Sequence, residues 1–234
     1  MSLETSFHQV LAQCPVCLNE ETLTIWDMID ASTDPDLREK LLRKTLQSLD
    51  CRNCGNATLI ASPLTYLDPD HGLLIECRPD LNQTELENRL SQLRQNPELA
   101  GVLAGDSCLR LVASMNDLIE KIHVREHQLD DRVLEIVKLA VLRHGSAETS
   151  IEELRFVGAG GDELRFVLKK PDGWFQYALP AQAYDNAAQL LDRLIDTGLL
   201  PVLENDMAFM LIDQAFAAQC LDAFTAAETA PEEA

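Results

Sequence analysis

The residues of this chain best equipped for chemistry are four cysteines in two C-x-x-C pairs, Cys14-Pro-Val-Cys17 and Cys51-Arg-Asn-Cys54. A C-x-x-C pair on a tight turn sets both sulfurs on one side of the backbone. Two such turns facing one another offer four thiolates at the corners of a tetrahedron, the donor set that structural zinc takes. Protein would then fill every coordination position and leave none for water or substrate, so the expected role is structural.

Other groups are weaker candidates. His123, His127 and Asp131 fall at i, i+4 and i+8 and would line one unbroken helix as a metal or acid–base site. The competing reading breaks the helix at Gln128-Leu129 and uses Asp130 or Asp131 to cap the next one. Two caps and two apolar phases favour the break. Asp130, Asp131 and Glu135 remain the carboxylates best suited to an active site. Gly158-Ala-Gly-Gly161 leads into a strand, so it reads as a turn and offers no helix N-terminus to an anion. Cys77, Cys108 and Cys220 have no partner pattern and read as small buried hydrophobes. No Walker, G-x-S-x-G or H-E-x-x-H pattern occurs.

The elements that must position the cysteines are legible around them. Short strands are expected near Phe7–Leu11 and Leu23–Ile29. Asp34-Pro35 opens a helix to about Leu46, whose Leu37, Leu41 and Leu42 would pack over the metal. Asp68-Pro-Asp-His-Gly72 turns a hairpin, and Thr84-Glu-Leu-Glu87 reads as a capping box for a helix with Leu86, Leu90 and Leu93 on one face. A helical turn is expected after Asn96-Pro97, ending near Gly105. Leu109–Ala113 reads as a strand. Helices follow from Met115 to about Glu126 and from about Asp130 to Leu142. The second is apolar on more than one face and should be largely buried.

Cys14-Pro-Val-Cys17, Asp34-Pro-Asp-Leu-Arg-Glu-Lys-Leu-Leu, Cys51-Arg-Asn-Cys54-Gly55, the stretch holding Glu120-Lys-Ile and Leu129-Asp-Asp-Arg-Val-Leu-Glu-Ile-Val-Lys together resemble the bacterial CpXC family over roughly residues 8–140. The resemblance implies a metal held by Cys14, Cys17, Cys51 and Cys54, and no particular biochemical role. Two positions depart from it. Leu18 stands where a glycine commonly follows the first pair, and Arg52 replaces a proline in the second.

The remaining third resembles nothing further. Glu153-Leu-Arg-Phe-Val and Glu163-Leu-Arg-Phe-Val are one pentapeptide repeated across a glycine-rich turn, a hairpin signature with Leu and Phe on one face. Trp174–Leu179 adds a third strand. A helix from about Ala181 to Thr197 should turn Tyr184, Ala188, Leu191 and Ile195 inward, and a strand at Met207–Ile212 and a helix carrying Phe216, Cys220 and Phe224 complete the set.

Composition is that of an ordinary globular chain, with 46% hydrophobic and 25% charged residues. No apolar run reaches the roughly 18 residues that span a bilayer, and Met1-Ser-Leu-Glu lacks a basic segment before an apolar one, so a cytoplasmic location without membrane contact is expected. The formal net charge of -20, from 19 basic and 39 acidic residues, opposes nucleic acid and suits a basic protein partner. The expected architecture is α+β, a zinc-ribbon-like N-terminal region with a helical extension and then a β-meander packed with helices. Residues 1–145 would form a CpXC-like zinc-binding domain, 146–226 a C-terminal α+β domain and 227–234 a disordered acidic tail. The expected function is a non-enzymatic protein-interaction module stabilised by structural Zn2+. The alternative is an enzyme with its pocket between the two regions, using carboxylates while zinc only holds the scaffold.

Overall fold

The structure is a computed structural model that describes residues 4–96, 107–145, 151–200 and 208–229. It is mixed α+β, with three sheets and six α-helices among the described residues. The chain divides into two compact units, one of residues 1–119 with 207–210, the other of 120–206 with 211–234. The division falls between Ile119 and Glu120, inside a helix.

The first unit is built on a five-stranded sheet in the order β1 (Ser6–Gln13), β2 (Glu20–Asp30), β5 (Leu64–Asp68), β6 (Leu73–Cys77), β7 (Cys108–Val112). β1–β2 and β5–β6 are antiparallel hairpins, and β2–β5 and β6–β7 pair in parallel. A smaller hairpin, β3 (Ser48–Asp50) with β4 (Ala57–Leu59), forms a second sheet. The turn of the β5–β6 hairpin lies where Asp68–Gly72 required it. Pro69–His71 form a 3-10 turn, the Asp68 carboxylate accepts from the His71 N–H, and Gly72 is left-handed at φ 59°.

Helix α1 (Pro35–Leu42) has its proline in the first turn, but it stops four residues short of the expected Leu46. Lys44 turns left-handed at φ 58°, and the Thr45 N–H closes back on the Lys40 carbonyl. The cap of helix α2 (Gln83–Arg94) lies at Asn82, two residues before the expected Thr84. Asn82 accepts from the Glu85 N–H, and the Glu85 carboxylate accepts from the Asn82 N–H. Both Asn82-x-x-Glu85 and Thr84-x-x-Glu87 satisfy the pattern, and the earlier one buries Leu86 and Leu93. Those leucines join Met28, Leu67, Leu74, Leu109, Leu111 and Phe209 in the core of the unit. The expected strand at Met207–Ile212 is reduced to one parallel bridge, Met210 to Arg110; Met207 lies outside the described residues, as does the helical turn expected after Asn96.

In the second unit β8 (Glu153–Gly160), β9 (Glu163–Lys170) and β10 (Gly173–Pro180) form the expected meander. The repeated pentapeptide puts Phe156 opposite Phe166, ring centroids 5.8 Å apart, and buries Leu154, Leu164 and Leu168 on the same face. Helices α4 (Asp131–Gly145), α5 (Gln182–Asp196) and α6 (Gln214–Thr229) pack with one another, α4 also against β8 and α5 against β10, and α3 (Met115–Glu126) leads into α4. The buried face of α5 is Ala187, Leu191 and Leu194, so Ala188 and Ile195 are displaced from the face the sequence suggested. Helix α6 continues to Thr229, which makes residues 227–229 of the expected tail helical; residues 230–234 lie outside the described set. No described helix is long and apolar enough to cross a membrane.

Candidate metal centre

Each C-x-x-C pair is the turn of a hairpin, Cys14 to Asn19 between β1 and β2, and Cys51 to Asn56 between β3 and β4. The two turns share one hydrogen-bond plan. In the first, the Cys14 N–H donates to the Asn19 carbonyl and the Leu18 N–H to the Cys14 carbonyl, both at 2.9 Å. In the second, the Cys51 N–H donates to the Asn56 carbonyl at 2.9 Å and the Gly55 N–H to the Cys51 carbonyl at 2.8 Å. The plan forces the residue after each pair into the left-handed region, φ 62° at Leu18 and φ 73° at Gly55. Glycine enters that region freely, and leucine does so at a cost of about 1–2 kcal/mol.

The turns bring the four sulfurs within 4.8 Å of one another. Cys14 Sγ lies 3.6 Å from Cys54 Sγ, and Cys17 Sγ 3.5 Å from Cys51 Sγ. Metal–sulfur bonds of about 2.3 Å in a tetrahedron place sulfurs about 3.8 Å apart, so the set fits a thiolate-loving divalent ion with little adjustment. Cys14 and Cys51 are buried, Cys17 is half-buried and Cys54 is exposed. The apolar shell consists of Leu23, Ile25 and Leu49 with Val10, Ala12 and Ile60 around them. The strands supply it, and the α1 leucines expected over the site are not part of this cluster.

Two interactions hold the hairpins without a metal. Glu21 accepts from the Asn19 side-chain amide at 2.9 Å in the first turn and from the Arg52 backbone N–H at 3.0 Å in the second. It thereby ties both knuckles together through one carboxylate. Two of the thiols, Cys17 and Cys54, are shifted in opposite directions. Hydrogen bonding from the Asn53 side chain, then from the Asn19 backbone, draws Cys17 down to about 6. At Cys54 the Asn56 N–H favours the thiolate, but partial desolvation by the adjoining turn and the three neighbouring sulfurs outweigh it and push the thiol up to about 12. Four sulfurs this close resist becoming four thiolates unless a cation sits among them.

A family model described as CpXC protein matches residues 12–138, just over half of the chain, including both C-x-x-C pairs. The chain belongs to the CpXC family. No curated protein and no solved structure matches it.

The CpXC match ends on Lys138, and its last stretch contains a second cluster that sequence reasoning missed. Glu120, Lys121, Asp131, Glu135 and Lys138 are all buried, at 4–5% exposure. Lys121 Nζ lies 2.9 Å from Asp131 and 3.3 Å from Glu135. Lys138 Nζ lies 2.9 Å from Glu135 and 3.0 Å from Glu120. Glu120 also accepts from Arg155 at 3.0 Å and from the Phe156 N–H at 2.7 Å. Helices α3 and α4 and strand β8 are thus joined by alternating charges. Burial opposes the charge on Lys121, yet Asp131, Glu135 and Glu120 overcome it and raise its pKa. The residues in Glu120-Lys-Ile and Leu129-Asp-Asp-Arg that carry the CpXC resemblance include this network.

The remaining sequence candidates separate. Helix α3 ends at Glu126, Gln128 is left-handed at φ 56°, and α4 starts at Asp131, so His123, His127 and Asp131 do not share one helix. Asp130 caps α4 by accepting from the Arg132 N–H at 2.8 Å and also holds the Arg132 guanidinium. His127 donates its Nδ1–H to the His123 carbonyl at 2.8 Å and packs edge-on against Phe156. A cavity of about 750 Å3 in the second unit is lined mainly by aliphatic residues such as Ile136, Leu168, Leu179 and Leu190, and none of Asp130, Asp131 or Glu135 lines it. Cys77 and Cys220 are buried as expected, and burial pushes their thiols up to about 12 and about 11; Cys108 is half-buried.

Proposed function

We propose that this CpXC protein is a non-enzymatic interaction module whose two hairpins are held by a structural Zn2+ on Cys14, Cys17, Cys51 and Cys54. The observation that carries this reading is the four-sulfur cluster itself. Its donors are all protein sulfurs at near-tetrahedral spacing, a set that closes the coordination sphere of zinc. The carboxylates best suited to catalysis point the same way, because Asp131 and Glu135 are buried against lysines and Asp130 is engaged by Arg132. The net charge of -20 supports a basic protein as the partner and opposes nucleic acid.

The test is metal content by elemental analysis of protein purified without added metal, with melting followed before and after chelation. One zinc per chain and a large loss of stability on chelation are expected. A cooperative melt in protein lacking zinc would remove the structural role and turn attention to thiol chemistry.

A further inference from the structure

β1 is an edge strand that lacks the protections such strands usually carry. It pairs with β2 through all of Ser6–Gln13, and among the described residues it has no strand on its other side. At about 3.4 Å per residue the open edge is about 27 Å long, a row of outward N–H and C=O groups. Natural edges are blunted by proline, lysine, short length or a central bulge. β1 contains no Pro, Lys or Arg, and its single irregularity lies at the start, between Ser6 and Phe7.

The flanks of this edge specify what would pair with it. Phe7 and Leu11 share a face and are 56% and 66% exposed, and the Phe7 ring lies 5.1 Å from Trp26 on the neighbouring strand. Charge is one-sided: between Glu4 and Asp36 the sequence holds seven carboxylates and no Lys or Arg. Asp27 pairs with His8 on β1, Glu20 stands opposite Gln13, and Asp34 accepts from Thr5 just before the strand. A second copy of this edge would bring two acidic hairpins together. An extended segment alternating apolar and basic residues would set its apolar side chains beside Phe7 and Leu11 and its cations among these carboxylates.

We infer that β1 is the docking edge of this protein, and that its occupant is an extended, basic segment of a partner protein added as a further antiparallel or parallel strand. The inference rests on the interaction-module reading and names the surface that reading leaves open.

The experiment uses the full chain with a fluorescent peptide of alternating valine and lysine, and the same peptide with alternate backbone amides N-methylated. The methylated peptide keeps every charge and side chain but cannot complete the ladder. Saturable binding of the plain peptide is expected, weakened at least about tenfold by methylation and about tenfold between roughly 0.05 M and 0.5 M salt. Leu11→Lys, which places a charge on the edge without touching the cysteines, should weaken it similarly while its melt stays that of the parent. Equal binding of both peptides, or no binding of the plain one, overturns the inference. If the peptide fails while immobilised protein still retains basic proteins in a salt-sensitive way, the edge assignment falls alone. If both fail, the interaction reading falls with it.

Discussion

Two polar clusters are built here on opposite principles. The knuckles gather four cysteine sulfurs, a donor set that the proposed zinc would complete from outside. The network on α3, α4 and β8 gathers Glu120, Asp131 and Glu135 with Lys121, Lys138 and Arg155, the last also paired with Glu153, and so supplies its own counter-charges. On the structural-zinc proposal, one cluster makes part of the fold conditional on its surroundings, while the other brings its own counter-charges.

Removing the outside cation should have the largest effect. Structural zinc of this kind contributes on the order of 10 kcal/mol to folding. Chelation or Cys51→Ser should therefore unfold the hairpin region, read as loss of amide protection over β1–β4, while amides of α4 stay protected. A Cys51→Ser protein with wild-type melting and full metal content would sink the structural-zinc reading.

Breaking the internal network comes next. Lys138→Met leaves Glu120 and Glu135 short of a cation and should cost about 3–5 kcal/mol in denaturant unfolding with metal content unchanged. Replacing the facing carboxylates as well by apolar residues of similar volume should recover most of that loss. Failure to recover would mean that the network holds more than charge balance.

Two smaller effects sharpen the comparison within the knuckles. Glu21→Ala removes the carboxylate that bridges them and should cost about 1–2 kcal/mol, more visibly in metal-free protein. Leu18→Gly should stabilise by about 1 kcal/mol, because Leu18 holds at φ 62° the conformation that Gly55 holds at φ 73°. An unchanged melting temperature for Leu18→Gly would show that contacts of the leucine offset its backbone strain.

The alkaline limb offers a further check. Lys121 binds its proton more tightly folded than unfolded, so its contribution is present below its ordinary range near 10 and declines as pH rises above it. Cys77 is held neutral to about 12, and the unfolded chain ionises that thiol from about 9 upward, so the sign is the same. Stability measured by denaturant titration should fall above about pH 9, and Cys77 should resist alkylation until the protein unfolds.

The sequence was informative where a pattern is local. Paired cysteines mark turns by spacing, Pro35 marks a helix start, and the repeated Glu-Leu-Arg-Phe-Val marks a hairpin because both copies alternate in phase. The apolar periodicity around Leu191 located α5 but left its face a residue uncertain at either end, since Ala187 and Ala188 differ only in their surroundings. The charge network was hidden because Lys and Glu ordinarily mean a solvated face. A signal was present in α4, where Asp131, Glu135 and Lys138 sit at i, i+4 and i+7 on a helix apolar on more than one face. Glu21 gave no such signal, because its two partners come from turns 33 residues apart in the chain.

The separation of the two hairpins also sets a clock. Cys54 lies 37 positions after Cys17, and at roughly 5–20 residues per second the ribosome takes roughly 2–7 s to add that stretch. For those seconds the first pair waits as an open dithiol on a nascent chain, with its own hairpin already able to form. Assembly of the centre is therefore ordered in time, and whichever metal or oxidant reaches Cys14 and Cys17 in that interval meets half a site.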